Sequence, residues 1–121
     1  MIYLKAEPAS VKVARDHVGK IAAEGWPVDG YGAGLVTTEL VTNAVRHAKT
    51  ELVTVNAFAS EAAYVVEVWD GDPTLPVLRQ VERLGEGGWG LRAVAEYVTR
   101  WGVRFDQRGG KTVFAEWAVP S

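Results

Sequence analysis

Two consecutive stretches, residues 51–59 and 63–70, alternate apolar and polar side chains with a period of two. Leu52, Val53, Val55 and Ala57 carry the pattern in the first, and Tyr64, Val66 and Val68 carry it in the second. The connection from Ser60 to Ala63 is so short that the two strands must pair as an antiparallel hairpin. Such a hairpin needs a cover for its apolar face, and the rest of the chain has to supply it.

The flanking segments read as helices and further strands. Residues 2–5 alternate and predict a short strand. Pro8, Ala9 and Ser10 open a predicted helix that reaches about residue 23. Its apolar positions, Val11, Ala14, Val18, Ile21 and Ala22, recur at three- and four-residue steps, and Gly25 and Pro27 end it. A glycine-rich turn (Gly30, Gly32, Gly34) precedes a second predicted helix over residues 33–48. After the hairpin come a loop with Pro73 and Pro76, one or two helical turns over 77–84, and a third helix over 89–100. Two last strands, 102–107 and 111–119, flank the turn residues Arg108, Gly109 and Gly110, and Val113, Ala115, Trp117 and Val119 share one side of the final strand. The expected fold is a single α+β domain over residues 1–121. It is a two-layer α/β sandwich with one mixed, mostly antiparallel sheet and its helices on one face.

Composition narrows the chemistry. The chain of 121 residues is 48% hydrophobic, enough to bury a core of its own. It has no cysteine, so disulfides and thiolate metal sites are excluded, and its two histidines, His17 and His47, argue against a His-rich zinc site. Its 13 basic and 15 acidic residues are mixed, with no basic stripe of the kind that binds nucleic acid. No apolar run approaches the roughly 20 residues that span a bilayer. The first ten residues lack the apolar stretch of a signal peptide, so the cytoplasm is the expected location.

Three segments carry candidate chemistry. On the second helix, Glu39, Asn43 and Arg46 or His47 fall on one stripe at four-, seven- or eight-residue spacing, with Leu40, Val41, Ala44, Val45 and Ala48 on the packing sides. A carboxylate, an amide and a basic group on one face can build a phosphate site. An amide oxygen suits hard Mg²⁺, and a carboxylate one turn away can position or deprotonate a nucleophile. Taken alone, such a stripe is most often a solvated polar face. The second segment, Asp70, Gly71, Asp72 and Pro73, ends a strand in an acid-glycine-acid turn. A carboxylate there can accept a hydrogen bond from an exocyclic amine, though an Asx turn closing the strand explains the same residues. The third is the run Gly85, Gly87, Gly88, Trp89, Gly90, Leu91, whose glycines let backbone N–H groups approach phosphate ahead of a helix. A dinucleotide-binding motif is rejected because no strand directly precedes this run. A P-loop ending at Gly110, Lys111 and Thr112 is rejected because a strand follows it.

Order and spacing together are more specific than any one segment. The helix from Glu39 to Ala48 resembles the N box of the GHKL (histidine-kinase-like) ATPase superfamily. Asp70, Gly71, Asp72 and Pro73 resemble its first glycine box, Gly88 to Leu91 its second, and Lys111 and Thr112 its adenine-side threonine. The resemblance runs from about Pro8 to Trp117 and is strongest to the small anti-sigma-factor serine/threonine kinases of actinobacterial type. It implies the Bergerat-type ATP-binding fold and ATP with Mg²⁺ as cofactors. Asn43 would ligate Mg²⁺ and Glu39 would act as general base or orient the attacking hydroxyl. Asp70 would hold the adenine amine, aided by a water shared with Thr112. Gly88, Trp89, Gly90 and Leu91 would belong to a lid that places backbone amides on the phosphates. Arg46 or His47 would touch phosphate or fix the helix. Asp72 stands where the family often has glycine, which alters the approach to adenine.

The resemblance implies an ATP-binding regulatory protein, a serine/threonine kinase acting on an anti-sigma-factor antagonist and/or binding a sigma factor. Homodimerisation is common in such kinases. The alternative is a nucleotide-gated protein-binding scaffold with little or no turnover. A histidine-kinase fragment would need a phosphoacceptor helix, for which His17 is the single candidate.

Overall fold

The computed structural model describes residues 1–75, 91–107 and 109–119. Its elements follow in the order β1 (Ile2–Lys5), α1 (Ala9–Gly25), α2 (Gly30–His47), β2 (Leu52–Ala59), β3 (Ala63–Asp70), α3 (Leu91–Tyr97), β4 (Arg100–Phe105) and β5 (Lys111–Ala118). The five strands form one sheet in the order β1-β2-β3-β5-β4. Every pairing among them is antiparallel, so the sheet is more uniform than the mixed arrangement expected. Helices and sheet make the expected α+β sandwich.

Register explains which side is covered. One row of partners crosses all five strands, Ile2, Val55, Val68, Val113 and Val103 in turn. Side chains alternate along a strand, so this row and the rows two residues either side share one face. That face packs against Ala14, Val18 and Ala22 of α1, Val36, Leu40, Val41 and Ala44 of α2, and Val94 of α3, which together form the core. At its edge, Trp26 meets Tyr64 and Trp117 with ring centroids 5.4 and 6.1 Å apart.

Two helix boundaries differ from the sequence reading by three residues. The second helix starts at Gly30, not residue 33, because Asp29 caps it by accepting a hydrogen bond from the Tyr31 N–H at 3.1 Å. Gly30, Gly32 and Gly34 are thereby helical rather than a turn. Each costs about 1 kcal/mol against alanine, but burying Val36, Leu40 and Val41 contributes about 1.5–3 kcal/mol apiece. Gly34 also lets the Arg15 side chain pass close, since a Cβ there would meet Arg15 Cγ at 3.3 Å. The third helix ends at Tyr97 rather than residue 100. The chain is captured there by the sheet: Thr99 N–H donates to Glu116 O at 2.8 Å, Ala118 N–H donates to Thr99 Oγ1 at 2.9 Å, and Arg100 already pairs with Glu116. The predicted turns over 77–84 lie outside the described residues. Among the described residues no helix is long and apolar enough to cross a membrane.

Candidate functional site

The row next to the valine row runs Leu4, Val53, Asp70, Lys111 and Phe105. Two opposite charges thus sit at inward-facing positions of a hydrophobic sheet. Asp70 is 1% exposed and Lys111 3%. Their pairing accounts for the burial: Lys111 Nζ donates to Asp70 Oδ1 at 3.0 Å and to the Asp72 carbonyl at 2.8 Å. Asp70 Oδ1 also accepts the Asp72 N–H at 2.8 Å. Both bonds among the described residues fall on the same carboxylate oxygen.

Asp72 serves the turn. Its Oδ2 accepts the Lys49 N–H at 2.8 Å, just beyond the end of α2, and its Oδ1 accepts the Thr74 N–H at 2.9 Å. These donors stabilise the ionised form. The Lys49 N–H leads, the Thr74 backbone and hydroxyl follow, and the Lys111 ammonium adds a smaller attraction; together they hold the carboxyl down to about 2. Beside it, Gly71 N–H donates to Thr50 Oγ1 at 2.9 Å, and that hydroxyl donates to Leu52 O at 2.8 Å. The acid-glycine-acid turn is therefore fastened to the segment joining α2 to β2. From the other side Gly110, with φ +79°, lies against the same backbone: a Cβ there would stand 2.0 Å from Asp70 O. A side chain at Gly110 would displace the carbonyl of Asp70.

On α2, Glu39 and Asn43 are buried one turn apart, 4% and 7% exposed, while Arg46 and His47 are exposed in the last turn. Each of the four has an interaction partner. Because Lys49 is tied to Asp72, the C-terminal end of α2 and the end of β3 are held together. Asn43 lies about 6 Å along the helix axis from His47 at 1.5 Å per residue. Leu91 opens α3. Gly88, Trp89 and Gly90 of the expected lid lie outside the described residues.

The structure does not bring Thr112 to Asp70. Thr112 belongs to the row Tyr3, Thr54, Trp69, Thr112 and Arg104, which faces away from the helices. Strand alternation allows no other outcome once Lys111 faces inward. Thr112 is buried among outer-face neighbours that include Trp69, Arg104 and Asp106. The sequence reading named Lys111 only beside Thr112 and gave the site role to Thr112. The signal for Lys111 was present, because the alternation of Val113, Ala115 and Trp117 extends back to Lys111 and places a charge on the core side.

The sandwich, with a helix bearing a buried acid and amide tied to an acidic strand-end turn, matches a known class. Residues 4–117 match the family of histidine kinase-like ATPase domains. The match spans nearly the whole chain, and the chain belongs to that family. ATP binding is the property this membership implies. No curated protein matches the chain.

Proposed function

We propose that this chain is a cytoplasmic Mg·ATP-dependent serine/threonine kinase domain that regulates transcription. Its partner would be an anti-sigma-factor antagonist that it phosphorylates, a sigma factor that it binds, or both. The observation that carries this reading is the burial of Glu39 and Asn43, one turn apart on α2, the helix beyond whose end Lys49 is bonded to the turn that follows the buried Asp70. Solvated polar stripes do not bury an acid and an amide to this degree.

The residues fit the cofactors. Glu39, Asn43 and Asp70 offer hard oxygen donors. No group of three or more His, Cys, Asp or Glu able to hold a metal occurs among the described residues. Mg²⁺ that arrives on phosphate oxygens and keeps its waters needs only one or two protein ligands, and Asn43 is the residue assigned to it. When bound, ATP supplies the γ-phosphoryl group and Mg²⁺ neutralises charge on its oxygens. Glu39 would serve as the base that takes the proton of a serine or threonine hydroxyl, or would orient that hydroxyl, for transfer of the γ-phosphoryl group with ADP as the leaving group. Asp70 receives the adenine amine. Arg46 or His47, at the exposed end of α2, would touch phosphate or fix the helix, and the family resemblance assigns Gly88, Gly90 and Leu91 to the phosphates. Homodimerisation belongs to the same proposal.

The scaffold reading uses the same nucleotide site without turnover, and the ion pair of Asp70 with Lys111 belongs to both readings. Calorimetric titration with ATP, with and without Mg²⁺, tests both readings. Magnesium-dependent binding that Asp70→Asn abolishes supports the nucleotide site, and phosphate transfer to a partner then supports the kinase. Binding without transfer favours the scaffold, and folded protein that binds no ATP overturns the kinase proposal.

A further inference from the structure

Base recognition in such a site needs two contacts. A carboxylate accepts the exocyclic amine of adenine, and a donor must satisfy the ring nitrogen N1 beside that amine, because a buried acceptor left without a partner is costly. The expected donor was a water held by Thr112, and Thr112 lies on the opposite face of the sheet.

Lys111 is the donor on the correct face. Its Nζ sits 3.0 Å from Asp70 Oδ1 and 2.8 Å from Asp72 O. An ammonium has three N–H donors and these two bonds use two of them. The carboxylate likewise has a second oxygen, since both of its bonds among the described residues fall on Oδ1. An ammonium and a carboxylate side by side present a donor next to an acceptor. The Watson–Crick edge of adenine presents the complement, with N1 accepting and the amine donating.

We infer that Lys111 is a base-reading residue: its ammonium donates to adenine N1 while Asp70 accepts the adjacent amine, so that the buried ion pair recognises the base as a unit. The inference rests on the nucleotide-site reading above. It also gives the ion pair a reason to sit in an apolar row, where two hydrophobic residues would otherwise serve stability as well.

The test uses ligands that differ by one atom. Wild-type protein is titrated with Mg·ATP, with its 1-deaza analogue, in which N1 is replaced by C–H, and with the 7-deaza analogue as a control. Loss of one charge-assisted hydrogen bond corresponds to roughly tenfold to hundredfold weaker binding. The 1-deaza analogue is expected to bind that much more weakly, with the 7-deaza analogue close to ATP. In Lys111→Met, ATP and the 1-deaza analogue are expected to bind alike. Equal wild-type affinity for ATP and the 1-deaza analogue overturns the inference, as does full discrimination retained by folded Lys111→Met. If Lys111→Met fails to fold, the wild-type comparison decides alone. Failure of the parent reading looks different, because then wild-type protein binds none of the three nucleotides and the inference falls with it. When ATP binds, Asp70→Asn abolishes binding and the 1-deaza analogue binds equally well, the inference fails alone.

Discussion

Replacing Lys111 by methionine leaves the Asp70 carboxylate in the core without its counter-charge. The side chain volume is nearly kept, so the cost is electrostatic rather than a cavity. Asp70 is 1% exposed and its carboxylate keeps one donor, the Asp72 N–H at 2.8 Å. The Asp72 carbonyl loses the ammonium that reached it at 2.8 Å. Breaking one side of a buried pair costs about 3–5 kcal/mol, and the surviving N–H bond points to the lower end of that range. A domain of this size is stable by about 5–15 kcal/mol, so the loss is a large share of the whole. Urea unfolding followed by tryptophan fluorescence measures it. The double variant Asp70→Asn/Lys111→Met removes both charges and is expected to recover about 2 kcal/mol or more relative to the sum of the single losses. A Lys111→Met loss below about 1 kcal/mol, or strict additivity in the double variant, refutes the argument that the pair is buried and coupled; surface ion pairs behave that way.

Gly110→Ala combines a left-handed backbone at φ +79° with a Cβ 2.0 Å from Asp70 O, whereas at Gly109, with φ +107°, an added methyl would meet no heavy atom within 4 Å. Gly109→Ala is expected to cost about 1–2 kcal/mol from backbone strain alone and Gly110→Ala clearly more; equal thermal shifts would remove the close approach from the account. Asp72 is depressed from 3.8 to about 2 when folded, so its contribution to stability is complete above about pH 4 and is lost as pH falls through about 2. Melting temperature between pH 5 and pH 2 is expected to fall faster for wild type than for Asp72→Asn, and parallel curves would contradict the assigned donors. Asn43→Ala is expected to keep the fold and lose magnesium-dependent ATP affinity, read by calorimetry with and without Mg²⁺. Glu39→Ala is expected to bind ATP and transfer no phosphate, so full residual transfer would remove the base role.

Local periodicity determined a good deal by itself. Period-two alternation set β2 and β3 and the hairpin between them, and three- and four-residue spacing set α1 and the body of α2. The stripe of Glu39 and Asn43 on one helix face follows from helical geometry alone. These features depend on neighbours a few residues apart, which the sequence displays directly. Tertiary structure decided the rest. The bond between Lys111 and Asp70 joins residues 41 apart, and the Lys49 bond to Asp72 joins residues 23 apart. Both depend on how strands and helix ends register against each other. That same register turned Thr112 outward and Lys111 inward, because a shift of one residue exchanges the two faces of a strand. Helical glycines at 30, 32 and 34 were decided the same way: their local preference is for a turn, and the buried valines and leucine that follow, packed on α1 and the sheet, outweigh it.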